Sequence, residues 1–166
     1  DYAKKKHFSQ KRITGDDYIT HPLNVALILT EINADTKAIC AALLHDIGHG
    51  PYSHAFESVT TTPHEAMTVN IILSDKTDVN KVLSICEGLA EDVAGVISHS
   101  SKFPLIESLV SSQLDVDRMD YLSRDAYFTG AEYGHIDYYR ILRSMKIVNN
   151  QVVVKASLSP KYSITE

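Results

Sequence analysis

The chain has 166 residues, of which 44% are hydrophobic, and its 16 Lys and Arg against 21 Asp and Glu leave a formal net charge of −5. That length suffices for one domain with a real core, and the acidic balance excludes a global basic footprint for duplex nucleic acid. No apolar run approaches membrane-spanning length, and the polar, charged start does not read as a signal segment. Cys40 and Cys86 lie far apart in apolar helical patterns and form neither a disulfide framework nor a zinc-knuckle spacing. The expectation is a single domain over residues 1–166, in a reducing cytoplasm, with neither a membrane nor a nucleic acid as partner.

Residues 1–19 are polar and Lys-rich, with a turn signal at Thr14-Gly15-Asp16-Asp17. Pro22 suits the first turn of a helix running to about Ile32, with Leu23, Ala26, Leu27 and Leu29 as its apolar side. Asp35 is the expected N-cap of a buried helix from Thr36 to about Asp46, which Gly48, Gly50 and Pro51 then break. Thr60-Thr61-Thr62-Pro63 precedes a helix from His64 to Leu73, and two more are expected over Asp78–Glu87 and Glu91–Ser98. Pro104 opens a long helical pattern, with Leu105, Leu109, Leu114 and Leu122 near helical spacing, out to about Ala126. A short helix around Tyr138–Met145 follows, and Gln151–Lys155 is the clear strand candidate. The fold class is therefore all-α, a helical bundle with a short strand or hairpin near the C-terminus. Val152-Val153-Val154 would be an edge-pairing risk if left unpaired, and the sequence leaves the oligomeric state open.

The densest chemistry lies in His45-Asp46-Ile47-Gly48-His49-Gly50-Pro51-Tyr52-Ser53-His54-Ala55-Phe56-Glu57. A His-Asp pair at the end of a buried helix needs partners, because unpaired buried charge is costly. His21, His45, Asp46 and Asp117 fall on three separate expected helices, which can converge on one interior ion. Two imidazoles and two carboxylates suit one divalent ion such as Mn, Fe, Ni or Zn better than Ca. Open positions would remain for water and a phosphate oxygen, with Mg as a further ion at the substrate phosphates. Singly, each residue has a plainer reading: His21 as a helix-start residue, Asp46 as a surface cap, Asp117 as a partner of Arg118 or Arg124.

His54 and Glu57 are three apart and share a face if this stretch turns helically. The pair reads either as a surface His–Glu contact or as a proton donor with the carboxylate that orients it. His64, beside Glu65 at a helix start, reads as a phosphate contact or proton relay, or as capping chemistry. His49 lies between two glycines that let the backbone approach a ligand closely, and either contacts phosphate or only shapes the loop. Asp117, Tyr121 and Asp125 at i, i+4 and i+8 share one helix face. Asp115 and Asp120 point elsewhere and are expected to pair with Arg118 or Arg124.

The order His21…His45-Asp46…Asp117 resembles that of the HD-domain phosphohydrolase superfamily. From about Ile39 to Met145 the chain is similar to the branch containing deoxynucleoside triphosphate triphosphohydrolases. The stretches carrying this are Leu43 through Glu57, Pro63-His64-Glu65, Ser111 through Leu122, and Arg124 through Gly130. The resemblance implies that His54 faces the scissile phosphate and that an acidic residue near the position of Glu57 tunes it. It also implies that Arg118 contacts phosphate and that Tyr121 and Asp125 contact the deoxyribose. A packed tyrosine there would reject a ribose 2′-hydroxyl by clash. The reaction implied converts a deoxynucleoside triphosphate and water into deoxynucleoside and triphosphate.

Residues 12–26, Arg12-Ile13-Thr14-Gly15-Asp16-Asp17-Tyr18-Ile19-Thr20-His21-Pro22-Leu23-Asn24-Val25-Ala26, resemble instead the Rel/Spo-type hydrolase domain that cleaves guanosine tetraphosphate. That resemblance makes His21 the first metal ligand and Arg12 a residue that packs on guanine. The chain departs from both patterns. Ile13 stands where Rel/Spo enzymes carry lysine, His49-Gly50 replaces their Glu-Asp pair, and Tyr18 stands where the triphosphohydrolases carry arginine. The later helix with which triphosphohydrolases hold phosphates and sugar finds no match, so the expected domain is truncated on its C-terminal side. Three functions stay open: a triphosphohydrolase, a guanosine tetraphosphate 3′-pyrophosphohydrolase, and a catalytically weak nucleotide-binding or regulatory module. Relatives often assemble, so a homo-oligomer is among the implied partners beside the nucleotide.

Overall fold

The computed structural model describes residues 15, 17–50, 52, 54–111, 115–131, 136–149 and 151–154. In chain order these hold α1 (Thr20–Glu31), α2 (Thr36–Leu44), α3 (His54–Thr60), α4 (His64–Leu73), α5 (Asp78–Leu83), α6 (Leu89–Ile97), α7 (Pro104–Val110), α8 (Val116–Thr129), α9 (Tyr138–Ser144), β1 (Met145–Val148) and β2 (Gln151–Val154). Among the described residues no helix is long and apolar enough to cross a membrane.

The bundle is organised by α2. Asp35 caps its start by accepting a hydrogen bond from the Lys37 amide at 2.8 Å, which satisfies one of the amides that a first turn leaves free. Ala38 and Ala42, one turn apart, join Val25, Ile28, Leu29, Val116, Met119 and Leu142 in one hydrophobic cluster. Ala41 faces a second cluster with Ile72, Leu83, Val93, Val96, Ile97 and Val110. Small side chains on two faces thus seat α2 against α1 on one side and against α6 and α7 on the other. Its last residues carry His45 and Asp46 out at the junction of these packed layers, and α8 packs against α1.

The expected long helix from Pro104 to Ala126 is two helices. Ser111 leaves helical geometry at φ −150° and ψ 85°, and Asp115 restarts a helix by accepting from the Arg118 amide at 2.8 Å. The apolar spacing runs through this break because both helices cover the same core. The expected helix over Asp78–Glu87 ends at Leu83, and Gly88 at φ 74° precedes α6. The strand candidate gains a partner: β1 pairs antiparallel with β2 in the register Val148↔Gln151 to Met145↔Val154. Met145, expected at a helix end, is the first strand residue.

Gly48 has no room for a side chain. A Cβ there would collide with the backbone of His64 and Thr68, because the loop after α2 lies directly on the start of α4. Thr68 ties the two together, donating to the His45 carbonyl at 2.9 Å and accepting from the Gly48 amide at 3.0 Å. Gly48→Ala is expected to cost about 1–3 kcal/mol, the usual range for overpacking a filled interior. Denaturant titration checks this, and an unchanged midpoint would mean that the loop and α4 separate freely.

Candidate functional site

His21, in the first turn of α1, is 3% exposed. Its Nε2 lies 2.8 Å from Asp117 Oδ1 and 3.8 Å from Asp46 Oδ2. His45 Nε2 lies 3.3 Å from Asp46 Oδ1 and 3.6 Å from Asp117 Oδ1. His21 in α1 and His45 and Asp46 at the end of α2 offer donor atoms within 4.8 Å of one another, and Asp117, the second residue of α8, lies against both imidazoles. These separations, 2.8–3.8 Å, lie on either side of the roughly 3.0–3.4 Å expected between donors about 2.1 Å from a common first-row ion.

The outer nitrogens fix the imidazoles. His45 Nδ1–H donates to the Ala42 carbonyl at 2.8 Å, which leaves Nε2 as the ligand nitrogen. That Nε2 is buried and has no hydrogen-bond partner, a costly arrangement that a cation would relieve. His21 Nδ1–H donates to Asp120 Oδ2 at 2.6 Å, and Arg124 Nη2 holds both oxygens of Asp120, at 3.1 and 2.9 Å. Asp120 was expected to point away and pair with an arginine. It does pair with Arg124, but it also orients His21. It lies one turn from Asp117, and that i, i+3 spacing was the available signal.

Protonation equilibria report the same crowding. Burial lowers the affinity of His21 for a proton, but hydrogen bonds and charge from Asp117 and Asp120 outweigh it and push its pKa up to about 9. For His45 burial again opposes, and Asp117, Asp46 and the Ala42 carbonyl raise it overall. Asp117 is penalised by burial yet held far below the usual carboxylate range by His21 and His45. Protons on the imidazoles thus offset the clustered carboxylates, a task a divalent ion performs with fewer groups. The donor set fits a borderline first-row divalent metal.

A second cluster adjoins the first. Glu57 Oε1 accepts from His64 Nδ1 at 2.7 Å and from His54 Nδ1 at 3.1 Å, with His49 Nδ1 at 3.7 Å. His49 and His64 stack at 3.9 Å between ring centroids. His49 Nε2 is 3.3 Å from Asp46 Oδ1, linking the clusters. His54 and Glu57 do share a face of α3, as the spacing predicts. His64 also reaches back to Glu57, seven residues away across Pro63, with Glu65 Oε2 farther off at 3.5 Å. Desolvation raises the Glu57 pKa, but hydrogen bonds and charge from His64 and His54 together outweigh it and lower it. Burial first, and then the neighbouring imidazoles of His64 and His54, lower that of His49 despite Asp46.

Tyr121 is half-buried and Asp125 exposed on α8, the helix that carries Asp117. Arg118 is exposed, with Nε 3.7 Å from Asp115 Oδ2. Arg12 lies outside the described residues.

A helical bundle that brings two imidazoles and the Asp46 carboxylate together, with Asp117 against both imidazoles, has the donors of a metal centre. The HD domain family model matches residues 18–125, and the chain belongs to that family. It is 54% identical over 120 residues to the uncharacterized protein YwfO of Bacillus subtilis, covering 72% of this chain and 28% of that protein. A shorter stretch, 46 residues at 61% identity, matches a guanosine-3′,5′-bis(diphosphate) 3′-pyrophosphohydrolase of Aquifex aeolicus, covering 28% of this chain and 7% of that one. Among solved structures, a hypothetical protein from Aquifex aeolicus superposes with a TM-score of 0.77 at 26% identity, over 95% of this chain and 48% of that one. A phosphohydrolase from Bacteroides thetaiotaomicron shares the fold with a TM-score of 0.74 at 23% identity, over 93% and 43% of the two chains. The chain spans about a third or less of the length of the curated relatives it matches.

Asp120→Asn keeps the side-chain size but replaces the charged acceptor of His21 Nδ1–H. Apparent affinity for a divalent metal is expected to fall about 10- to 100-fold, as for other partners of metal-bound histidines. Competition with a chelator at fixed pH measures it, and an unchanged affinity would detach Asp120 from the centre.

Proposed function

We propose that the chain is the core of a metal-dependent nucleotide phosphohydrolase of the deoxynucleoside triphosphate triphosphohydrolase type. The observation that carries this reading is the His54–Glu57–His64 array beside the four-donor centre. His21, His45, Asp46 and Asp117 would hold the ion. Bound there, it would supply charge stabilisation to a phosphate oxygen and lower the pKa of water.

The chain's residues do the rest. Water adds to the α-phosphorus while the bond from phosphorus to the 5′-oxygen breaks. His54, the most exposed of the cluster with a side chain 75% exposed, gives its proton to that departing oxygen. Glu57 holds His54 Nδ1 and orients the ring. His64 shares the same carboxylate oxygen and serves as proton relay or phosphate contact. Arg118, exposed and paired with Asp115 at the start of α8, would turn to a phosphate, and Tyr121 and Asp125 would line the sugar side. The products are a deoxynucleoside and inorganic triphosphate.

A second reading is a guanosine tetraphosphate 3′-pyrophosphohydrolase. It is favoured by the short, high-identity match to such an enzyme and by the His21-Pro22 pair with Arg12 upstream. His49-Gly50 weighs against it, because that enzyme type carries an acidic pair there. The deciding experiment incubates the chain with Mn²⁺ and, separately, deoxynucleoside triphosphates, ribonucleoside triphosphates and guanosine tetraphosphate. Release of triphosphate from deoxynucleotides supports the first reading, and pyrophosphate from the tetraphosphate the second. Nucleotide binding with metal retained and no product would point to a regulatory module.

A further inference from the structure

We infer that Thr68 is a positioning residue of the metal centre: its hydroxyl is built into the turn that presents Asp46, and through that carboxylate it sets how tightly the centre holds an ion. The turn after α2 is made of bonds between residues three apart. The Ile47 amide donates to the Leu44 carbonyl at 3.0 Å, and the His49 amide to the Asp46 carbonyl at 3.1 Å. The groups between them, the His45 carbonyl and the Gly48 amide, are joined through Thr68 instead. Thr68 Oγ1 donates to the carbonyl at 2.9 Å and accepts from the amide at 3.0 Å. Thr68 is fully buried, so the hydroxyl is a fixed part of the turn rather than a group exchanging with water.

Gly48 is an independent sign of the same insertion. A Cβ at that position would sit 2.6 Å from Thr68 Oγ1 and would collide with the His64 carbonyl. The hydroxyl thus takes the space in which a side chain would lie, and glycine is the residue that leaves its backbone open to so close an approach. The glycine after the His-Asp pair and the threonine on α4 are two halves of one joint.

Asp46 is the residue on which the joint acts, because it lies inside the bridged segment. The His45 ring has its own anchor, the bond from Nδ1 to the Ala42 carbonyl. The Asp46 carboxylate instead meets imidazoles, His45 and His49 at 3.3 Å and His21 at 3.8 Å, so its bearing depends on the backbone beneath it. Were the Gly48 amide to close directly onto the His45 carbonyl, the peptide groups flanking Asp46 would rotate and carry the carboxylate with them. Thr68 stands one turn past His64 on α4, so α4 sets the angle of a ligand that belongs to the end of α2. The inference rests on the reading of His21, His45, Asp46 and Asp117 as ligands of an ion, and it is tested without nucleotide.

The test measures Co²⁺ affinity by chelator competition, the visible Co²⁺ spectrum, and thermal unfolding with and without Co²⁺, for wild type, Thr68→Val and Thr68→Ser. Thr68→Val keeps the branched shape and removes the hydroxyl, whereas Thr68→Ser keeps the hydroxyl. Thr68→Val is expected to bind Co²⁺ about 10- to 100-fold more weakly, the usual loss when a partner behind a metal ligand is removed, with a shifted spectrum. Thr68→Ser should restore most of the affinity and the wild-type spectrum. A purely structural threonine would lower the unfolding temperature of Thr68→Val equally with and without Co²⁺ and leave affinity and spectrum unchanged, and that result overturns the proposal. So does a Thr68→Ser protein as weak as Thr68→Val. If Thr68→Val does not fold, Thr68→Cys decides by the same affinity measurement, since a thiol is a weak donor and acceptor of similar size. A wild type that binds no Co²⁺ removes the ligand reading and the proposal with it, whereas unchanged affinity in Thr68→Val removes the role of Thr68 alone.

Discussion

Asp46→Ala is expected to remove bound metal and to lower phosphohydrolase turnover by roughly a thousandfold. The carboxylate stands against three imidazoles, His21, His45 and His49, at 3.8, 3.3 and 3.3 Å. It thereby links the His21–His45 centre to the neighbouring His49. A Lewis-acid ion contributes several kcal/mol to a phosphoryl transition state, and at about 1.36 kcal/mol per tenfold in rate that is about three orders of magnitude. The check is paired, with metal content by elemental analysis and turnover on whichever nucleotide the substrate comparison identifies. Full turnover in a variant depleted of metal would sink the metal-dependent mechanism. Metal retained with turnover lost would instead place Asp46 among groups that act on substrate.

The second large effect separates proton transfer from metal binding. His54→Ala is expected to lower kcat by about 10²–10⁴, the range for removal of a positioned general acid, while the ion at His21, His45, Asp46 and Asp117 stays bound. His54 packs on no hydrophobic cluster and its side chain is 75% exposed, so folding should be unaffected. A leaving group of low pKa needs no proton. The loss should therefore shrink on a substrate such as a p-nitrophenyl phosphate ester of a nucleotide. An equal loss on both substrates would make His54 a binding residue rather than an acid.

Three of the four proposed metal ligands were legible from local signals, whereas Asp117 was read from the family pattern. His21 precedes Pro22 at a helix start, and His45 and Asp46 end an alanine-rich apolar run just before Gly48, Gly50 and Pro51. The His54–Glu57 pair was legible from its i, i+3 spacing alone. Other features depend on placement in space. Asp120 meets His21 across 99 residues, and its i, i+3 spacing from Asp117 puts it on the right helix face without recording that contact. His64 reaches Glu57 across a proline break, at a separation of seven that carries no helical meaning once Pro63 intervenes. The break between α7 and α8 was hidden because Leu105, Leu109 and Leu122 keep a helical period on both sides. Only the capping bond of Asp115 to the Arg118 amide shows where the second helix begins. The roles of Tyr121, Asp125 and Arg118 still rest on family resemblance.

Because α2 faces two hydrophobic clusters and delivers His45 and Asp46 where they meet, the centre is a product of late assembly. His45, Asp46 and His49 are neighbours in any conformation of the chain, whereas His21 and Asp117 join them only after both clusters have closed loops of tens of residues, the contacts that cost most to form first. An ion that needs all four groups has little hold on the unfolded chain. Its binding free energy is therefore added to the stability of the whole bundle, about 2.7 kcal/mol at a hundredfold excess over Kd. A cell that withholds the metal would not only silence such a domain. It would also shorten its lifetime, making abundance as well as activity a readout of metal supply.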